Sequence, residues 1–260
     1  MRTIAVYNIK GGVGKTATAV NLAHLSSAAG ARTLIWDLDP QGAATFYFRV
    51  KPKIRGGIKK LIRGKKRLDR HVRGTDYDDL DLLPADFSNR NFDLVLDSTR
   101  KPAKRLSRRI RPLAGEYDHL YIDCAPSISL VSEGVFNAAD ALLVPVIPTT
   151  LSLRALDQLL RHLEDHGPKK LRVLPFFCMV DRRKSMHREI SARKKLHGTR
   201  FLQTRIPYSS DVEKMGLRRA PLAAYAASCE AATAYESLWR EVLDRTGSWL
   251  SGFSFGRFRY

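Results

Sequence analysis

The feature that most constrains this chain is a glycine-rich loop between a short strand and a helix. A β-rich run at Thr3–Tyr7 precedes the loop at Ile9–Thr18, and helical spacing begins at Ala19. The loop glycines allow the backbone to bend so that successive N–H groups point inward. Lys15 and Thr16 end the glycine-rich part. Lys15 can contact the β- and γ-phosphates of a nucleotide, and the Thr16 hydroxyl can contact Mg²⁺. The order of strand, loop and helix is the one that a phosphate-binding loop requires.

The loop lacks the first glycine of the common pattern G-x-x-x-x-G-K-[ST], and Lys10 gives it a second lysine five residues before Lys15. The resulting KGGVGKT resembles the deviant Walker A loop of the ParA/MinD family of ATPases. The resemblance implies an ATP-dependent homodimer in which Lys10 reaches the nucleotide of the partner subunit and acts in catalysis together with Lys15. The alternative is an ordinary glycine-rich turn with two solvated lysines. The resemblance also implies that ATP contacts the whole loop: Lys10, Gly11, Gly12, Val13, Gly14, Lys15, Thr16 and Ala17.

Two acidic residues follow the second predicted strand, Thr33–Trp36. Asp37 and Asp39 lie two residues apart at the strand end, where Pro40 and Gly42 turn the chain, so we expect at most one of them to face the phosphates. The stretch DLDPQG resembles the switch I motif of the same family, in which the second aspartate orients the attacking water. This resemblance assigns the catalytic role to Asp39. The alternative is an acidic turn at the end of a strand.

A third acidic residue, Asp123, ends the apolar strand His119–Asp123. A carboxylate at the carboxyl end of a central parallel strand lies where such sheets bind ligands. The segment resembles the family's Walker B motif, with Ala125 in place of its first proline. The resemblance implies that Asp123 holds Mg²⁺ through water and that Thr16 is a metal ligand.

The late part of the chain supplies weaker candidates. The predicted strands Leu171–Met179 and Phe201–Ile206 lie where family members contact the adenine, which makes Pro207 a candidate for nucleotide binding. The asparagine that the family usually carries near Met179 is absent. In DNA-binding members, arginines in the late segments contact phosphates, so Arg218 and Arg219 are candidates for DNA binding; the alternative is a plain surface pair.

The composition indicates an acidic partner. The 260 residues carry 45 Lys and Arg against 26 Asp and Glu, a formal net charge of +19. This excess points to nucleic acid or an acidic membrane surface. The three cysteines are widely spaced, which argues against a disulfide framework or a zinc site. With no signal peptide expected and no apolar run of membrane-spanning length, the sequence predicts a cytoplasmic protein. The basic charge and the family resemblance imply that it is nucleoid-associated.

Basic residues concentrate in two segments. Residues 51–73 contain eleven Lys or Arg and a single acid, and residues 100–111 contain seven and no acid. Apolar residues recur at helical spacing in the first segment, which predicts a docked basic helix over Ile58–Leu68. For the second segment, a solvated helix face and a nucleic-acid contact remain equal alternatives.

The resemblance covers nearly the whole chain and implies one α/β domain at residues 1–247 with an aromatic and basic tail at 248–260. The implied fold is a doubly wound, mainly parallel twisted sheet with helices on both faces. Three functions fit it: a nucleoid-bound partition or positioning ATPase stimulated by a partner protein, a MinD-like ATPase on membranes, and a metabolic or metal-cluster enzyme. Two glycines and the irregular spacing of its aromatics make the tail a poor amphipathic helix, so membrane binding is not expected. Paired bridging cysteines, which a metal-cluster enzyme needs, are missing.

Overall fold

A computed structural model describes residues 1–54, 56–63 and 68–247. Its main feature is an eight-stranded sheet with the strand order β10-β7-β6-β1-β5-β2-β4-β3, beside which β8 and β9 form a separate two-stranded hairpin. The strands are β1 (Arg2–Val6), β2 (Thr33–Asp37), β3 (Arg73–Gly74), β4 (Leu80–Leu83), β5 (His119–Asp123), β6 (Ala141–Val146), β7 (Arg172–Val180), β8 (Lys195–Leu196), β9 (Thr199–Arg200) and β10 (Arg205–Pro207).

Helices connect these strands. They are α1 (Lys15–Ala28), α2 (Ala43–Tyr47), α3 (Gly57–Arg63), α4 (Phe92–Asp97), α5 (Arg105–Ile110), α6 (Leu130–Ala138), α7 (Thr150–His166), α8 (Ser185–Ser191), α9 (Ser210–Glu213), α10 (Met215–Arg218), α11 (Ala223–Ala226) and α12 (Glu230–Thr246). Short 3₁₀ segments lie at Leu68–His71, Phe87–Asn91, Pro102–Lys104 and Arg111–Gly115. Within the described ranges, no helix is long and apolar enough to cross a membrane.

All strand pairs of the main sheet are parallel except β3 with β4 at one edge. The chain first builds β2 and β4 on one side of β1 and later adds β6, β7 and β10 on the other. The order therefore reverses beside β1, and ligands of open α/β sheets bind at the carboxyl ends of the strands where such a reversal occurs. The glycine-rich loop follows β1 at this place.

Alternate residues of the strands face two separate cores, which is the direct consequence of the two-residue period of a β-strand. On β2, Leu34 and Trp36 belong to the core that contains the apolar residues of α3, α5 and α7. Ile35 belongs to the core that contains those of α1 and α12. Helices therefore cover both faces of a mainly parallel sheet, which confirms the predicted doubly wound fold.

Most predicted elements are present with small shifts in their ends. The helix predicted in the first basic segment is α3, and its Ile58, Leu61 and Ile62 are buried. The strand predicted at Phe201–Ile206 is shorter and later, because only β10 (Arg205–Pro207) pairs with β7. The tail predicted at 248–260 lies outside the described residues.

Candidate nucleotide-binding site

The glycine-rich loop joins β1 to α1 through two residues with positive φ. Gly12 has φ 69° and Gly14 has φ 91°, a region that side-chain-bearing residues rarely adopt. A Cβ at Gly14 would also lie 3.0 Å from the Sγ of Cys178 on β7. Gly14 is the N-cap of α1 and gives no side-chain hydrogen bond, and the first turn of α1 has no acidic residue. The first N–H groups of α1 thus face the loop, as an anion-binding helix terminus requires.

Lys15 turns back over the loop. Its side chain is 7% exposed, and its Nζ donates to the backbone O of Lys10 at 3.2 Å. Burial lowers the pKa of Lys15, while the charges of Asp123 and Asp39 favour its protonated form. The ammonium group therefore lies between the loop and two carboxylates, where a polyphosphate would replace the backbone oxygen as its partner.

Lys10 leaves the loop in another direction. Its Nζ donates to the Oγ of Ser152 in the first turn of α7 at 3.1 Å. The backbone N–H of Lys10 donates to the Oδ1 of Asn8 at 2.9 Å, and the buried Asn8 amide in turn donates to the backbone O of Pro145 at 2.8 Å. The two lysines of the loop thus have separate positions. The sequence motifs gave no sign of Asn8 or Ser152.

Asp37 and Asp39 occupy different environments, because β2 ends at Asp37 and Asp39 lies beyond the strand. Asp37 is fully buried, and its Oδ2 accepts from the N and the Oγ1 of Thr45 at 2.8 and 2.7 Å. Asp39 is partly exposed, and its Oδ1 accepts only from the N of Gln41, at 2.9 Å, among the hydrogen bonds of the described residues. One oxygen of Asp39 thus remains available to a water molecule at the mouth of the site.

Asp123 lies beside Asp37, because the two residues are in register at the ends of β5 and β2. Asp123 is fully buried, and neither of its carboxylate oxygens makes a hydrogen bond of ordinary geometry to a described residue. Burial and the neighbouring Asp37 raise its pKa well above the usual value, while Thr16 and Lys15 favour its ionised form. Burial likewise raises the pKa of Asp37. Sequence reasoning missed Asp37 as a member of the site.

This arrangement fits Mg²⁺. The unsatisfied oxygens of Asp123 and the adjacent hydroxyl of Thr16 are hard oxygen donors of the kind that Mg²⁺ prefers. In the part of the chain that the structure covers, no three His, Cys, Asp or Glu side chains converge as ligands of one metal ion. A magnesium ion bound beside Asp123 and Thr16 would take its remaining ligands from water and phosphate oxygens.

Pro207 lies on β10 opposite Val180 of β7. The end of β7 touches the glycine-rich loop, since Cys178 and Met179 are the nearest neighbours of a Cβ built on Gly14. Met179 has a positive φ of 55°. Pro207 is thus one strand away from residues that contact the loop, and its contact with a nucleotide base stays a prediction.

Comparison with known proteins agrees with this geometry. Residues 1–171 match the AAA domain family AAA_31. The chain is 30% identical over 253 residues to the chromosome partitioning protein ParA of Caulobacter vibrioides, covering 94% of this chain and 95% of that protein. The chain belongs to the ParA/MinD family. It is also 28% identical to the sporulation initiation inhibitor protein Soj of Bacillus subtilis, over 93% of this chain and 98% of Soj.

A solved structure extends the comparison to ligands. The cobyrinic acid a,c-diamide synthase of Mycobacterium smegmatis, solved with an ATP analogue and magnesium, has a TM-score of 0.78 and 26% identity, and 97% of each chain is covered. Membership of the ParA/MinD family thus comes with a fold in which other proteins bind nucleotide and Mg²⁺.

The two candidate arginines of this ParA/MinD protein differ in their contacts. Arg219 donates from Nε to the backbone O of Phe46 at 3.1 Å, and its guanidinium lies 4.5 Å from the centre of the Phe46 ring. Arg218 is exposed, and the described hydrogen bonds use only its backbone: its N donates to the O of Lys214 at 2.9 Å, and its O accepts from Arg49 at 3.2 Å. Arg219 therefore has a structural partner within the chain, whereas the Arg218 side chain is open to an external anion. DNA binding by either residue stays a prediction.

The cysteines form no pair. Cys124, Cys178 and Cys229 are free thiols, the first two buried, and the Sγ of Cys229 caps the N-terminus of α12 by accepting from Ala232 at 3.3 Å. Burial raises the pKa of Cys178 to about 12. The thiol of Cys229 thus has a structural role at the start of α12.

Proposed function

We propose that this protein is a ParA-like ATPase that dimerises on ATP, binds DNA non-specifically and uses hydrolysis to segregate DNA or to position a cellular cargo on the nucleoid. The observation that supports it most strongly is the separation of the two loop lysines. Lys15 faces back over its own loop, whereas Lys10 extends to the N-terminus of α7. A single nucleotide site needs only the first, and the second is available to a partner subunit.

The chemistry proposed is phosphoryl transfer to water. The N-terminus of α1 and the Lys15 ammonium bind the β- and γ-phosphates and offset the charge that develops during transfer. Asp39 uses its available oxygen to orient the attacking water. Thr16 and Asp123 would hold Mg²⁺, which neutralises phosphate charge when bound. The isolated protein should hydrolyse ATP slowly, because Asp39 is partly exposed and no described residue of the same chain holds its carboxylate against a phosphate.

The DNA-binding part of the proposal rests on charge. A net charge of +19 exceeds what solubility requires, and contacts to phosphates supply most of the affinity in non-specific DNA binding. A dimer presents each basic surface twice, so ATP should strengthen DNA binding by raising the effective concentration of the second surface.

The test is DNA binding with ATP, with ADP and without nucleotide across a salt series, together with light scattering and phosphate release. We expect an ATP-dependent dimer, slow hydrolysis, and DNA binding that ATP strengthens and salt weakens steeply. Hydrolysis by a permanent monomer, or DNA affinity that ATP leaves unchanged, would contradict the proposal. Co-sedimentation with anionic vesicles only in the presence of ATP would favour a membrane-associated positioning ATPase instead.

A further inference from the structure

The two basic segments of the sequence contact each other in the fold, through residues that lie 43 positions apart in the chain. Arg105 at the start of α5 donates from Nε and Nη2 to the backbone O of Ile62 near the end of α3, at 3.1 and 2.9 Å. These two hydrogen bonds connect α3 to α5 on the same face of the sheet. Their apolar residues, among them Leu61 and Leu106, enter the same core.

Exposed cations lie on α3, on α5 and on the chain segments next to them in sequence. Neither α3 nor α5 contains an acidic residue. We name the group the α3–α5 basic surface, and its ten members are all exposed: Lys59, Lys60, Arg63, Arg70, Arg73, Arg100, Lys101, Lys104, Arg108 and Arg111. None of these ten side chains forms an ion pair with another residue of the described ranges.

The charges lie close enough to act on one another. His71 is buried beneath the surface, and burial lowers its pKa; the charges of Arg73, Lys60 and Arg109 lower it further. Arg73, Lys60 and Arg109 belong to different elements of the chain. The charges of these three cations therefore act on one imidazole, and the charge of Asp69 acts on it in the opposite direction.

This surface differs from a membrane-binding one. Membrane-surface binding normally combines cations with exposed apolar side chains that enter the bilayer. None of the exposed large apolar residues of the described chain lies on α3 or α5; Phe87 and Leu94 lie on the 3₁₀ segment Phe87–Asn91 and on α4, which contact α3. The apolar residues of α3 and α5 are buried instead. A surface of cations without apolar anchors fits a phosphate backbone.

The surface is also separate from Arg218. The α3–α5 layer packs on the sheet face that carries Leu34 and Trp36, whereas α10 contributes Met215 to the core on the opposite face with Ile35. None of the ten cations belongs to the glycine-rich loop or to the segments around Asp39 and Asp123. All ten are exposed in a single chain, so their contact with a polyanion needs neither nucleotide nor a second subunit.

We propose that the α3–α5 basic surface binds the phosphates of duplex DNA and does so without nucleotide. The inference rests on the DNA-binding function proposed above and deepens it by naming the surface. ATP-driven pairing then adds affinity to a contact that each chain already makes, and release after hydrolysis lowers the affinity without abolishing it. The DNA contact that remains after hydrolysis would keep the protein near DNA between ATPase cycles.

The test compares two quartets of exposed lysines with equal loss of charge. The first replaces Lys59, Lys60, Lys101 and Lys104 with glutamine, and the second replaces Lys169, Lys170, Lys194 and Lys195, which are exposed outside the surface. Binding of a fluorescent duplex of arbitrary sequence is measured without nucleotide and with ATP over a salt series. Basal ATP hydrolysis, which involves none of these residues, verifies that both variants are folded.

We expect the unaltered protein to bind the duplex without nucleotide. The first quartet should lower that affinity at least about tenfold at low salt and reduce the salt slope by about 2 to 4, since each lost phosphate contact removes about 0.9. The second quartet should change both quantities little. In ATP the first quartet should again be the weaker binder.

Three outcomes would overturn the inference. Equal losses in both quartets would show that bulk charge alone matters, and an absence of binding without nucleotide would show that the surface needs the dimer. A third outcome is that the unaltered protein does not bind DNA but pellets with phosphatidylglycerol vesicles, and that only the first quartet abolishes this pelleting. That result would assign the surface to membranes. If either of the first two outcomes is found but ATP still causes dimerisation and strengthens DNA binding, the surface assignment fails and the proposed function is retained.

Discussion

Lys10 and Ser152 are joined by a hydrogen bond of 3.1 Å from Nζ to Oγ, although 142 residues separate them in sequence. The Ser152 hydroxyl also accepts from the Oγ1 of Thr149, the N-cap of α7, at 2.9 Å. The side chain of Lys10 is therefore held at a helix terminus and away from its own loop. Its ammonium must leave Ser152 before it can reach a phosphate in another subunit.

Replacing Lys10 with alanine should abolish ATP-dependent dimerisation and leave nucleotide binding intact. Lys15 and the N-terminus of α1 remain to bind phosphate in the single chain. Light scattering with ATP measures the first quantity, and titration with a fluorescent nucleotide measures the second. Ser152→Ala is the matched control, because it removes the hydrogen bond and retains the lysine. A Lys10→Ala protein that still dimerises would contradict the cross-subunit role.

Replacing Asp39 with alanine should give a protein that binds ATP and dimerises but does not hydrolyse. Among the described residues, the partly exposed carboxylate accepts one hydrogen bond, from the backbone N of Gln41, so its loss should change stability little. Phosphate release measured beside dimer formation separates the two effects. Asp97→Ala, an exposed acid on α4, serves as the control. Undiminished turnover by Asp39→Ala would exclude this residue as the group that orients water.

Replacing Asp123 with asparagine should stabilise the nucleotide-free protein and eliminate Mg²⁺-dependent hydrolysis. Burial and Asp37 both disfavour the ionised carboxylate, and an amide of the same shape removes that repulsion. We expect the free energy of unfolding to rise by about 1 kcal/mol or more, since uncompensated buried charge is costly. Urea unfolding without metal or nucleotide measures the gain. If the free energy of unfolding instead falls by about 1 kcal/mol or more, Asp123 has a stabilising partner in the free protein.

The adjacent arginines should separate stability from binding. Arg219→Ala removes a hydrogen bond and a ring contact to Phe46, which should cost about 1 to 2 kcal/mol of unfolding free energy. Arg218→Ala should leave stability unchanged and weaken ATP-dependent DNA binding equally for all sequences. Denaturant unfolding and duplex binding with ATP measure the two effects. Identical behaviour of the two variants in both assays would contradict this division.

Local patterns sufficed to predict the loop, the strand that precedes it and the acidic residues at the ends of β2 and β5. Each depends on residues close in sequence, whose spacing determines backbone shape and the side of a strand they occupy. The pairing of Asp37 with Asp123 was beyond such reasoning, because it depends on the register of β2 against β5. The Lys10–Ser152 bond and the meeting of α3 with α5 through Arg105 likewise depend on tertiary packing.

His119 should make the protein less stable in mild acid. Its ring is 5% exposed, bonds to the Oγ of Ser26, and has a pKa lowered to about 4, mainly by burial. Between that value and the ordinary histidine pKa of about 6.5, the unfolded chain binds a proton that the folded chain does not, so unfolding becomes more favourable as the pH falls. The contribution of His119 to the free energy of unfolding is fully present above this pH range. It falls by roughly 3 kcal/mol as the pH falls through the range, since each pKa unit corresponds to about 1.4 kcal/mol. Urea unfolding at several pH values should show a shallower acid slope for His119→Gln than for the control His166→Gln, whose ring is exposed. Parallel slopes in the two variants would show that His119 does not govern acid stability.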